Sequence, residues 1–264
     1  MEDEQKEFYP SKEMLDKIKG FRLFDDAFMT KCFEENINCT EFVLRIILDK
    51  RDLTVIKVDT QHEISNLKGH SIRLDIFAKD AKGVYYDIEV QRSDEGAIPK
   101  RARYNSSLID ANVLKKGVGY DKLPESYVIF IAENDVLAYN RPVYHIDRTI
   151  RETGTVFNDE AHIVYVNGAW RADDAIGHLM HDFSCSNPAD MNYSLLAETT
   201  QYFKENPEGV RRMCKGMEEL IETNNKRIAL KMLKKGYSVE EIAEVTELDE
   251  AVINKMKEEN LALA

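Results

Sequence analysis

The stretch 73–91 leaves this chain few ways to fold. It reads Arg-Leu-Asp-Ile-Phe-Ala-Lys, then Asp-Ala-Lys-Gly, then Val-Tyr-Tyr-Asp-Ile-Glu-Val-Gln. Two alternating runs flank a turn that ends in glycine, the pattern of a β-hairpin. Strand side chains alternate between faces. Ile72, Leu74, Ile76 and Ala78 therefore share one face, as do Val84, Tyr86, Ile88 and Val90. A register that sets both apolar rows on the same side pairs Leu74 with Val90, Ile76 with Ile88 and Ala78 with Tyr86. The loop is then 81–83, with Gly83 where a left-handed residue is wanted.

The opposite face carries the chemistry. In this register Asp75 lies across from Glu89, Arg73 across from Gln91, and Asp87 diagonally from Asp75. Opposed residues have Cβ atoms roughly 5 Å apart, and two carboxylates at that separation repel by about 3 kcal/mol at an effective dielectric near 20. A divalent cation is the simplest offset. Hard oxygen ligands on two rigid strands suit Mg2+ (or Mn2+), completed by water and a substrate phosphate. The plainer reading is a solvated polar face whose acids are neutralised by Arg73 and Lys79. Against it stands the spacing of Glu89 and Gln91, two apart and so aimed at the same place as Asp75.

Around this hairpin the chain reads as alternating helix and strand. Asp25 or Asp26 caps a helix through Phe28 and Phe33, and Phe42, Val43, Ile46 and Ile47 mark the next. Residues 53–64 read as a first strand, with Lys57, Asp59, Gln61 and Glu63 on its polar side. A helix starts at about Pro99 and carries Arg101, Arg103, Tyr104 and Ser107, of which Arg103 and Ser107 share a face. The apolar run in 126–132 reads as a buried central strand. Short strands near 143–146 and 162–166 extend the sheet. From Pro188 the pattern is wholly helical.

With 264 residues, 43% of them apolar and 32% charged, the chain has the composition of an ordinary globular protein with a sizeable core. No apolar run is long enough for a bilayer, and no signal-peptide pattern opens the sequence. Cys32, Cys39, Cys185 and Cys214 have no disulfide or metal spacing, so a cytoplasmic protein with reduced thiols is expected. His178 and His181 share a helix face but have no second ligand pair, so they are expected to be structural. The net charge of −12 opposes long-range attraction to DNA. Either the basic residues cluster near the site, or binding is weak and metal-dependent.

An Asp, a turn, and Glu-x-Gln on the following strand resemble the core of the PD-(D/E)XK nucleases. The wider context resembles one branch, the PD-(D/E)XK nuclease family transposases, related to recombination-promoting nucleases. The matching stretches are 25–31, 74–80, 86–92, 101–108, 127–131 and 179–183, and together they span most of 20–205. The resemblance implies an α/β fold with an αβββαβ core, a mixed sheet flanked by helices, and a helical C-terminal region. It implies a metal-dependent DNA endonuclease, with Asp75, Glu89 and the backbone carbonyl of Val90 as metal ligands and Gln91 orienting a water. Asp26, Glu34 and Glu63 are accessory candidates, and Arg103 and Tyr104 are candidates for substrate contact. Leu74 stands where the family name has proline, and Gln91 where it has lysine. Glutamine orients a water but brings no positive charge.

Three regions are expected. They are a nuclease-like domain at 1–187, a helical extension at 188–235, and a small helix-turn-helix-like tail at 236–264. The segment 237–259 holds eight acids and two bases, so it suits association with a partner or a second copy rather than DNA. The rival function is accordingly a catalytically inactive nuclease-fold protein that acts through interaction and oligomerisation.

Overall fold

A computed structural model of the protein describes residues 10–66 and 69–261, with side chains to 258. The outer ends of the first and last expected regions lie outside the described residues. Two compact units are present, Ser11–Val210 and the helices from Arg211 on. Residues 188–210, read from sequence as the start of a helical extension, belong to the first.

The first unit opens with three helices, Lys12–Gly20 (α1), Asp26–Phe33 (α2) and Ile37–Leu48 (α3). Three strands follow, Val55–Ile64 (β1), Ile72–Asp80 (β2) and Tyr85–Gln91 (β3), then the helix Pro99–Val113 (α4) and the strand Ser126–Ala132 (β4). This is the αβββαβ order expected. Val143–Ile146 (β5) and Ala161–Asn167 (β6) extend the sheet, and Ala175–Ser184 (α5) and Ser194–Glu205 (α6) close the unit. The strand order is β1-β2-β3-β4-β6-β5. Pairing is antiparallel except for β3 with β4 and β4 with β6, so the sheet is mixed.

The hairpin has the expected turn. Asp80 N–H donates to Val84 O (3.0 Å) and Gly83 N–H to Asp80 O (3.1 Å), with Gly83 at φ 91°. The Asp80 carboxylate accepts from Lys82 N and Val84 N (both 2.9 Å) and from the Tyr86 hydroxyl (2.9 Å). The register also follows expectation from Lys79–Tyr85 to Ile76–Ile88. Beyond that pair β2 turns away. Leu74 joins Ala97, Ala102, Ile109, Val128 and Phe130 in the cluster between the sheet and α4. Its anticipated pairing with Val90 gives way to a bond from Val90 N to the Asp75 side chain (3.0 Å). On the other flank of Asp75, Gln61 of β1 adopts φ 54°. The bend leaves Asp75 outside both ladders, with its carboxylate turned onto β3.

Parallel pairing of β3 with β4 sets Asp87 beside Val128, Glu89 beside Phe130 and Gln91 beside Ala132. The polar row of β3 thus shares a face with the buried apolar row of β4, and α4 covers that face. On the other side, Phe24 and Phe33 meet Phe183 of α5, and Phe42 meets Tyr193. Lys204 of α6 donates to Lys19 O (2.9 Å), Phe21 O (2.5 Å) and Ser186 O. Three carbonyls satisfy its buried ammonium, and burial lowers its pKa.

The second unit contains most of Pro207–Lys234 (α7), which crosses the division, then Val239–Thr246 (α8) and Glu250–Leu261 (α9). Gly236 ends α7 at φ 84°. A reciprocal capping box between Ser238 and Glu241 starts α8. Ala229, Ile242 and Ile253 form the core of this small bundle. Among the described residues no helix is long and apolar enough to cross a membrane.

Candidate active site

Asp75, Glu89 and Gln91 converge where β2 leaves β3. The Gln91 amide donates to Glu89 Oε2 (3.3 Å) and lies 3.5 Å from Asp75 Oδ2. Asp75 Oδ2 also accepts from Val90 N. Strand residues direct N–H and C=O to the same neighbour, so the Val90 carbonyl points toward β2 as well. Gln91 O faces the other way and accepts from Glu133 N (2.9 Å).

Two side chains of α4 complete the cluster. Arg101 forms an ion pair with Glu89 Oε2 and donates to Gly96 O (2.8 Å), with its guanidinium 5.6 Å from the Phe130 ring centroid. Asn105 donates to Asp87 Oδ2 (3.0 Å) and lies 3.5 Å from Glu89 Oε1. Arg101 and Asn105 are one helical turn apart and so face the same way. The residues expected from sequence to meet the substrate on this helix are Arg103 and Tyr104 instead. The signal for the sheet-facing side was the spacing Ala102, Asn105, Ser106, Ile109, all buried. An asparagine within that row had to meet something polar.

The acids are not on a solvated face. Asp87 and Glu89 are both 0% exposed. Burial pushes Asp87 up to about 7 and Glu89 up to about 8, and Glu89 is raised further by the charge of Asp87 and lowered by Arg101. Asp75 is raised well above the ordinary carboxylate range, first by burial and then by Glu89, while its bond from Val90 N works the other way. Asp87 Oδ1 and Asn105 Oδ1 are buried without a hydrogen-bond partner. Carboxyls held this close together, one of them with an unsatisfied oxygen, raise one another's pKa.

Of the accessory candidates, Asp26 begins α2 and accepts from Gln61 Nε2 (3.2 Å), and its charge contributes to raising Asp75. Glu34 ends the same helix, about 12 Å along its axis, and is paired with Lys31 (3.1 Å). Glu63 is exposed on β1 opposite Arg73. Arg103 and Tyr104 line a groove of about 750 Å³ together with Arg73, Lys100 and Arg101. The Tyr104 hydroxyl donates to His70 O (2.6 Å) and accepts from Asn66 (3.1 Å). Elsewhere, His178 meets Asp173 (2.8 Å) and His181 meets Asp182 (3.2 Å). Asp182 is occupied with Asn192 N (2.7 Å) and Tyr193 N (2.8 Å). Among the described residues no group of three or more His, Cys, Asp or Glu side chains is arranged to hold a metal ion.

Residues 34–168, just over half of the 264, match the family model for PD-(D/E)XK nuclease family transposases. No curated protein and no solved structure matches. The matched region runs from the end of α2 through β6 and includes both strands of the acidic hairpin and the helix that covers them. By that match, on a fold with the expected order of elements, the chain belongs to the PD-(D/E)XK nuclease family transposases.

Proposed function

We propose that the protein is a divalent-metal-dependent DNA endonuclease that hydrolyses phosphodiester bonds in recombination or transposition. One observation carries the reading: Asp75 and Glu89, from adjacent strands, are bridged by Gln91, with Asp75 half-buried and Glu89 fully buried beneath a helix that brings an arginine to it. The oxygens available fit magnesium or manganese. Two carboxylates with the Val90 carbonyl fall short of a closed protein cage, and magnesium characteristically fills such a site with water and substrate phosphate. Bound there, the ion lowers the pKa of a water and offsets charge on the phosphate.

The remaining roles belong to the chain itself. Gln91 holds the two carboxylates by its amide and orients the attacking water. Arg101 brings the positive charge that a lysine at position 91 would have supplied, and stabilises charge developing on the phosphate. Asn105 fixes Asp87 and Glu89 relative to one another. Asp26 is an outer contributor to the acidic field at Asp75. Arg103 and Tyr104 contact the substrate backbone along the groove. All four cysteines are unpaired, which agrees with a cytoplasmic protein.

The rival reading, an inactive interaction protein, draws on Gln91 and on the acidic segment 237–259. Arg101 weakens its first support, because charge at the site does not depend on position 91. The test compares wild type with Asp75→Ala and Glu89→Ala. We expect all three to fold, and only wild type to cut supercoiled plasmid and to bind manganese by calorimetry. Equal cutting by all three proteins would remove the assignment.

A further inference from the structure

The sheet face that holds Glu89 carries a second feature nearer the hairpin turn. Three rings run across the strands there. His62 of β1 stacks on Phe77 of β2 (centroids 4.9 Å, planes 21° apart), and Phe77 stacks on Tyr85 of β3 (5.5 Å, 19°). Lys79 Nζ lies 4.9 Å from the Tyr85 centroid. The rings are half-buried and wall a groove of about 550 Å³, which Lys57, Lys115 and the end of α4 at Val113 also line. Asp59 in this groove is engaged by Lys57 (2.6 Å) and His62 (3.7 Å). Lys79 and Lys115 have no acidic partner among the described residues. The lysines Lys57, Lys79 and Lys115 outnumber the acids Asp59 and Glu63.

We propose that this groove takes an unpaired segment of the DNA strand, with a base stacked on the outer face of His62 at the open end of the His62–Phe77–Tyr85 row and phosphates on Lys79 and Lys115. The inference rests on the nuclease reading and specifies its substrate: single-stranded DNA, or duplex with an unpaired flank. An aromatic row can be extended by any base, since every base has a π-face, and basic side chains beside it follow the backbone. Bases inside a duplex have both faces covered by their neighbours, so they do not offer this contact. Position and charge agree. Phe77 is two residues from Asp75 along β2, roughly 7 Å, and Phe77 pairs with Asp87, whose carboxylate is bonded to Asn105. A strand whose scissile phosphate is at Asp75 and Glu89 thus reaches the rings with its adjoining nucleotides. β1 is the edge of the sheet among the described residues, so no further described strand blocks continuation of the row beyond His62.

Fluorescence anisotropy in EDTA, which suspends metal-dependent cutting, tests this with labelled oligo-dT and a labelled duplex of equal length. Wild type should bind the single strand more tightly. His62→Ala should weaken single-strand binding by about tenfold, in line with the loss of one base–aromatic stack, Phe77→Leu, which removes the ring that backs His62, should weaken it less, and both should leave duplex binding unchanged. Phe77→Trp should retain single-strand affinity, which separates stacking from any damage to the fold. Lys79→Ala, on the rim, should weaken the single strand alone. Equal losses for both probes, or no loss in His62→Ala and Lys79→Ala, would overturn the proposal. Duplex binding in EDTA without single-strand preference, with duplex cutting once manganese replaces the EDTA, would overturn this inference and leave the nuclease reading standing. No binding of either probe in EDTA, together with no cutting of either once manganese replaces the EDTA, would overturn both.

Discussion

Glu89 sits fully buried between Arg101, Asn105 and Gln91, and its protonation follows from that position. Its pKa is pushed up to about 8 by burial, and that of Asp87 to about 7. A carboxyl with a higher pKa in the folded than in the unfolded chain gives the folded state extra protons, so stability falls as pH rises between the two values. For Glu89 that window runs from the ordinary carboxylate range to about 8. In EDTA, Glu89→Gln should therefore gain stability over wild type as pH rises from about 5 to about 8, read as a widening difference in urea midpoints. A constant difference would mean that Glu89 is ionised throughout. Arg101 lowers the Glu89 pKa, so Arg101→Ala should move the acid limb of the cleavage profile to higher pH as well as cutting the rate about 100-fold. Arg101→Lys should recover part of both. The spacing of Asp75, Glu89 and Gln91 was legible in the sequence because strand alternation fixes which side chains share a face. Their burial was not, since alternation does not say what covers that face.

At the level of elements, the hairpin was legible because turn chemistry and apolar alternation agree on one register, and Ile76–Ile88 and Ala78–Tyr86 pair accordingly. The bend at Asp75 was hidden because it comes from a side chain: the Asp75 carboxylate takes the Val90 N–H, and Gln61 goes to positive φ beside it. Neither contact leaves a periodic trace. The face of α4 was hidden for a related reason, since Arg101 and Arg103 look equivalent until the sheet beneath is placed. Beside the site, the turn after β6 fixes the end of β4. Gly168 N–H donates to Ala132 O (2.7 Å), and a Cβ on Gly168 would collide with that oxygen and lie 2.9 Å from Glu133 Cα. Backbone on that side leaves little room to yield, and Gly168→Ala should cost about 2–3 kcal/mol. Thermal melts should show a loss of several degrees. Gly20→Ala, with nothing within 4 Å of the added atom, serves as the control that should not show it.

For the whole molecule, the sequence poses a conflict between a net charge of −12 and a DNA substrate. The fold answers it by position. Arg73, Lys100, Arg101 and Arg103 line one groove whose lining includes no acid, and of these only Arg101 is in an ion pair among the described residues. Arg73 comes from the start of β2 and the others from the first turns of α4, 27 positions or more away in sequence. No local run of charge therefore betrayed the groove. Three unpaired cations predict a small footprint on the phosphate backbone. The logarithm of DNA affinity should fall with the logarithm of salt at a slope of about −3 for duplex, well short of what an extensively basic protein gives. Lys100→Glu with Arg103→Glu should flatten the slope to about −1 and raise KM for cutting while leaving manganese binding at Asp75 and Glu89 intact. A steep slope in wild type, unchanged in that double variant, would place the phosphate contacts elsewhere on the protein. A shallow slope lost with Lys100 and Arg103 would establish that an acidic protein holds duplex DNA through one local groove beside its catalytic carboxylates.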